Sequence, residues 1–226
     1  MQRNSFHPTL VFVLFVSTLS AAAAAKVHVI VLGRWMTVSW VAGSGDGDKA
    51  VSLKIRPLVV DGRVKEYVLG SVHEVTDRLF VVRRMFRVND GLPEEAVPRW
   101  QWQRGGWLLV DRVTGRVSPI NLPEFDALYS GASWYRDYVA YCGVSDDGKK
   151  TYAMVAQISR RKPVLKKQIA DGISEDSAAD SACPAPEWQR GPMRVSFQSS
   201  GGEKQTYAIR GHVVDLVNEA EEDEAK

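Results

Sequence analysis

Leu58-Val59-Val60-Asp61-Gly62-Arg63-Val64-Lys65-Glu66-Tyr67-Val68-Leu69 decides the fold class of this chain. An apolar β-branched run meets Asp-Gly, and an extended run with aromatic and aliphatic residues follows. Asp-Gly tolerates the positive φ angles of a tight two-residue turn, so the stretch reads as a β-hairpin. The same grammar extends in both directions. Upstream lie Val27–Leu32 and the alternating runs Thr37–Val41 and Val51–Ile55. Downstream, Leu79–Val88 is the longest strand candidate. Trp107–Val110 and Arg116–Ile120 flank Thr114-Gly115, and Tyr138–Val144 and Thr151–Ile158 flank Asp147-Gly148. Val195–Phe197 and Thr206–Ile209 flank the Ser-Ser-Gly-Gly turn at 199–202. No long stretch of helical period competes with these. His212–Ala225 carries Val213, Leu216, Val217 and Ala220 at helical spacing, or is a last strand running into an acidic end. The expected class is all-β and antiparallel.

Tyr138–Gln157 (YVAYCGVSDDGKKTYAMVAQ) resembles the hairpin of a β-propeller repeat, in which a strand enters a Ser-x-Asp-Gly-Lys turn and an aromatic, apolar strand leaves it. Ser145, Asp147, Gly148 and Lys149 occupy that turn, and Asp146 stands where such repeats usually carry proline. The resemblance implies a small β-propeller-like architecture. A two-sheet sandwich is the competing expectation, because no fixed period runs along the whole chain.

The expected domain plan starts with a leader. Arg3 is the one formal charge among residues 1–25, Leu10–Leu19 is almost wholly apolar, and Ala21–Ala25 follow. A basic start, a short apolar middle and a small-residue end form a secretory signal peptide, cleaved before Lys26. Its apolar run is about half the ~20 residues a spanning helix needs, and no later run approaches that length. The main β domain then covers 26–169, with a possible split near 93–98. Residues 170–187 are small, acidic and rich in Ser, Ala and Pro, a composition expected to form a disordered linker. A C-terminal hairpin at 188–217 is expected to pack on the main domain, ahead of an acidic tail at 218–226.

Lys and Arg number 29 and Asp and Glu 27, and one of those cations, Arg3, belongs to the leader. Such balance argues against a general nucleic-acid binder. The two cysteines, Cys142 and Cys183, read as one disulfide in an exported protein, worth about 4 kcal/mol on the chain-entropy model.

Chemical constellations are sparse. His7, His28, His73 and His212 have no ligand-like spacing, so no metal and no cofactor are expected. The Gly43–Asp48 stretch lacks a phosphate-binding register, and Asp46 and Asp48 are too few for calcium. Ser133 lacks the glycine frame of a nucleophile elbow. Glu124, Asp126 and Asp137 lie near aromatics, as a sugar-cleaving carboxylate pair would. The basic run Arg160–Lys167 serves either to guard an edge strand or to meet an anionic surface. Trp100-Gln101-Trp102-Gln103-Arg104 alternates, which places both tryptophans on one face. Trp100, Trp102, Arg104, Trp134 and Tyr135 form the candidate ligand-binding set. Core packing is the expected role of both Trp100 and Trp102, and a surface platform is the alternative. The leading functional expectation is an exported, soluble, non-catalytic binding or structural module of the cell envelope, secreted or periplasmic, meeting a glycan or an envelope protein. The alternatives are a carbohydrate-active hydrolase using acids within 124–137, and a scaffold subunit of an envelope complex.

Overall fold

The computed structural model describes residues 27–41, 50–94, 96–171, 184–198, 203–210 and 213–216. The leader at 1–25, the Gly43–Asp48 stretch, Cys183, most of the 170–187 segment and the 218–226 tail lie outside the described residues. Every regular element among those described is a strand, and every strand pairing is antiparallel. Residues 213–216 are a strand, the second of the two expectations for that stretch.

The first sheet has seven strands: β1 (Ile30–Leu32), β2 (Met36–Trp40), β3 (Val51–Val60), β4 (Arg63–Glu74), β5 (Leu79–Asn89), β6 (Trp100–Asp111) and β7 (Val117–Ile120). Its order is β1-β3-β4-β5-β6-β7, with β2 also paired to β3. The β3–β4 turn is the Asp61-Gly62 hairpin, with φ of 51° and 76° as a tight two-residue turn requires. Residues 93–98 lie in the loop joining β5 and β6, which pair with each other within this one sheet.

Strand β3 runs unbroken through Pro57, and β6 runs through Gly105-Gly106. A register shift between Arg83 and Met85 sits opposite the two glycines. A Cβ on Gly105 would lie 3.1 Å from the Arg84 Cβ, so the close approach of the strands there favours glycine.

Twist accumulates across so many long strands, and bulges increase it. The two diagonals of the sheet therefore curl towards opposite faces. On one face Leu58, Val68, Phe80, Val82, Leu108 and Val110 form a buried cluster, joined by Ile30 and Leu32 from β1 and Val117 from β7. His28 lies against Gly115 of the β6–β7 turn, where a Cβ would come within 2.7 Å of its Nδ1. On the other face β2 packs against β6, with the Arg104 guanidinium 3.8 Å from the ring centroid of buried Trp40.

The second sheet comprises β8 (Ala132–Tyr135), β9 (Tyr138–Val144), β10 (Thr151–Gln157) and β11 (Leu165–Ala170), and the third β12 (Glu187–Gln189), β13 (Arg194–Phe197), β14 (Gln205–Arg210) and β15 (Val213–Leu216). Each is a meander whose strands pair in chain order, the connectivity of a propeller blade. The two are packed as a sandwich. Ala140, Cys142, Ala153 and Val155 of one sheet meet Val195, Phe197, Tyr207 and Ile209 of the other. The opposite face of the second sheet buries Val139, Tyr141, Met154 and Ala156 beneath Leu122 and Phe125.

The Ser-x-Asp-Gly-Lys turn joins β9 and β10 by its own side chains. Ser145 Oγ donates to Asp147 Oδ1 at 2.6 Å, and the amides of Lys149 and Lys150 donate to Asp147 Oδ1 and Ser145 Oγ. These bonds hold the Asp147 carboxyl below its ordinary range, the Ser145 hydroxyl foremost. Gly148 takes φ of 68°, where a side chain is disfavoured.

Candidate functional site

The aromatic residues singled out from the sequence separate into two places. Trp100, Trp102 and Arg104 project from one face of β6, as alternation requires. Trp102 is half-buried and lies opposite Arg87 of β5, with its ring edge-to-face with Tyr67 at 5.1 Å. Trp100, opposite Asn89, is 57% exposed. The expectation of a core role is therefore overturned for Trp100. The physical reason is pairing: β7 covers only Trp107–Val110, so the first half of β6 extends beyond it.

The Arg87 guanidinium stands 5.7 Å from the Trp100 ring centroid and 5.4 Å from that of Trp102. Cation–π attraction of this kind contributes about 0.5–1 kcal/mol at exposed sites. It holds two large aromatic surfaces and a fork of donors in one patch. Gln101, between the two tryptophans, projects from the opposite face of β6, where its side chain bonds Asp90 at 2.7 Å. Arg87 and Tyr67 were not among the ligand-binding candidates read from the sequence. Their signal was present in the alternation of β4 and β5, but the register that brings them beside Trp102 belongs to the pairing of separate hairpins.

Trp134 and Tyr135 lie elsewhere, on β8. Trp134 bridges the first and second sheets. It packs edge-to-face on Trp107 at 5.3 Å and stacks on His73 at 5.9 Å. His73 Nε2 donates to the Arg136 carbonyl at 2.7 Å, and Arg83 donates to the Ala127 carbonyl at 2.6 Å. Tyr135 rests against Trp188 at 5.7 Å, and Trp188 Nε1 donates to the Ser133 carbonyl at 3.2 Å. The Ser133 hydroxyl donates to the Pro186 carbonyl. These contacts join layers of the fold.

The acids considered for glycoside chemistry each have a partner within the fold. Glu124 has φ of 56° and pairs with Lys166, which it holds above the usual ammonium range. Asp126 accepts from the amides of Leu128 and Tyr129 at 2.7 and 3.0 Å. Asp137 accepts from Gln157 Nε2 at 2.7 Å. Tyr141 donates its phenol to the Pro123 carbonyl at 2.8 Å. Burial pushes that phenol above its ordinary range, and the charge of Glu124 adds to the shift.

A cavity of about 410 Å³ opens between the first and second sheets. Leu109, Ile120, Leu122, Val139 and Ala156 give it apolar walls, Asn121 and Gln157 add amides, and Arg160, Arg161 and Lys162 line it from the β10–β11 loop. The basic run thus divides. Its first three residues line a cavity, while Lys166 and Lys167 lie exposed on β11, an edge strand of the second sheet. The cavity was not legible in sequence, because its walls come from four separated segments. Among the described residues, no group of three or more His, Cys, Asp or Glu is placed to hold a metal ion. None forms a helix long and apolar enough to cross a membrane. No family model, curated protein or solved structure matches the chain.

Proposed function

We propose that this chain is an exported, non-catalytic binding module of the cell envelope, delivered by a cleaved leader at residues 1–25, and that it meets a glycan through the Trp100–Trp102–Arg87 patch. The single observation carrying this reading is the 57% exposure of Trp100 beside Trp102, with one guanidinium reaching both rings. Tryptophan is costly to leave in water, and a large aromatic beside an arginine is the composition of binding hot spots. Aromatic faces accept the C–H faces of sugar rings, while guanidinium and amide donors meet hydroxyls. Arg87 supplies the guanidinium donors at this patch. The partner engagement of Glu124, Asp126 and Asp137 supports binding without hydrolysis. A Cys142–Cys183 disulfide belongs to the same reading, since export exposes the chain to an oxidising compartment.

Affinity electrophoresis through gels holding xylan, cellulose derivatives or chitin derivatives tests the proposal. The wild-type protein is expected to be retarded by at least one polysaccharide, and Trp100→Ala is expected to run freely in all of them. The denaturation midpoint of Trp100→Ala is expected to stay within about 0.5 kcal/mol of wild type, as at other exposed positions. Equal retardation of both proteins, or no retardation of either, would remove the glycan reading. Terminal sequencing of the exported protein is expected to begin near Lys26.

A further inference from the structure

The cavity between the first and second sheets is separate from the tryptophan patch, and its chemistry points to a different ligand. Its walls are aliphatic: Leu109 from β6, Ile120 from β7, Leu122 from the connection to β8, and Val139 and Ala156 from the second sheet. At about 410 Å³ it falls within the range of small-molecule sites, and it lies where two layers of the fold meet. The β10–β11 loop contributes three consecutive cations, Arg160, Arg161 and Lys162, all exposed. Arg161 and Lys162 have no ion pair with any described residue. Asp137 accepts from the Gln157 amide at 2.7 Å. Gln157 itself lines the cavity, and its Oε1 is buried without a donor among the described residues.

These features complement one another. Apolar walls favour a hydrocarbon or aromatic body, since burial contributes about 25 cal/mol per Å² of apolar area. A cluster of like charge beside low-dielectric walls focuses its field and draws an anion. A purely apolar ligand would leave Arg161 and Lys162 unused, and a bare anion would leave the walls wet. We propose that this cavity is a binding site for an amphipathic organic acid, with its apolar body between the sheets and its carboxylate among Arg160, Arg161 and Lys162. A hydroxyl or amide N–H on the body would satisfy Gln157 Oε1.

Fluorescence of anilinonaphthalene sulfonate, an apolar aromatic anion, tests the site in the full-length protein. The probe is expected to bind and to be displaced by decanoate. Decanol and decyltrimethylammonium, which match the chain length but lack the negative charge, should need about tenfold higher concentrations. Reversing the loop charge with Arg161→Glu and Lys162→Glu together should weaken decanoate by about tenfold or more and bring the cationic amphiphile closer to it. Asn121→Trp, at an exposed position on the lining, should abolish probe binding by filling space. Should the charge reversal lose its β-sheet circular dichroism, Arg161→Gln with Lys162→Gln carries the same comparison. Equal displacement by all three amphiphiles, an unchanged affinity for decanoate in the charge variants, or full probe binding by Asn121→Trp would each overturn the proposal.

Discussion

The seven-stranded sheet and the β8–β15 sandwich reach burial by different routes. The sandwich puts two short-stranded sheets face to face, and its core is contributed almost equally by both. The seven-stranded sheet covers itself. Its long strands twist and bulge, so that β1 approaches the β6–β7 turn over one face and β2 lies on β6 over the other. A sheet that folds over itself leaves strand ends uncovered, and Trp100 stands at one of them. The sandwich hides its large rings, as Phe197 and Tyr207 show at 1% and 4% exposure. Surface available for recognition is therefore a consequence of how each region solves its packing.

The largest expected effect lies in the sandwich. Phe197 fills the space between two sheets and packs edge-to-face with Tyr207 at 6.0 Å. Phe197→Ala should cost about 3–5 kcal/mol, read by chemical denaturation. Hydrogen exchange should show protection lost first in β12–β15, because that sheet has the second sheet as its packing partner. Uniform loss across the seven-stranded sheet as well would break the distinction between the two regions.

Cys142, buried in the same core, sharpens it. If it is bonded to Cys183, Cys142→Ser and Cys183→Ser should each lower stability by about 2–4 kcal/mol, and reductant should have no further effect on either variant. Mass spectrometry of non-reduced peptides checks the bond directly. Equal stability of oxidised and reduced wild type would remove the cross-link from the account.

Trp134 tests how far the regions act as one. It is the second sheet's aromatic contact with Trp107 and His73 of the first sheet. Trp134→Ala should cost about 2–3 kcal/mol. It should also broaden or split the unfolding transition, because the coupling between two cooperative units is reduced. A single sharp transition at the wild-type slope would show that the layers are coupled elsewhere.

The hairpins were readable because their turns carry local chemistry: Asp61-Gly62 and the Ser145–Lys149 network need no partner from afar. The class followed from them. Two features were not readable for reasons of the same kind. Pro57 and Gly105-Gly106 look like strand breaks, yet both lie inside long strands, Pro57 near the place where β4 bulges at Lys65 and the glycines at a bulge in β6. Ala132–Tyr135 and Glu187–Gln189 are too short to show a period, and their strand character comes from their neighbours. The candidate site suffered more. Alternation correctly placed Trp100 and Trp102 on one face, but which end of β6 lacks cover depends on the length of β7, a non-local fact.

The smallest expected effect is electrostatic and belongs to the seven-stranded sheet alone. Arg78, ahead of β5, grips Asp111 at the end of β6 through two donors, and Arg112 grips Glu74 of β4 through two bonds of 2.8 Å. The Arg78 guanidinium first, with the amides of Val113 and Thr114 after it, holds the Asp111 carboxyl well below the usual carboxylate range. Arg112 does the same to Glu74 to a smaller extent. A depressed folded-state pKa adds stability that is complete above the unfolded carboxyl range and is lost as pH falls towards the folded value. The pair is solvent-exposed, so salt should weaken it. Asp111→Asn is therefore expected to be slightly less stable than wild type at neutral pH, with the gap beginning to close near the ordinary carboxylate range at about pH 4 and closing further below it. Both of these doubly bonded pairs lie in the seven-stranded sheet. Acid should thus loosen β4–β6 relative to β8–β15, read by hydrogen exchange at low and neutral pH. A gap that widened with acid would mean that the carboxylate is better solvated when unfolded than when held by Arg78, which would reverse the sign of its contribution.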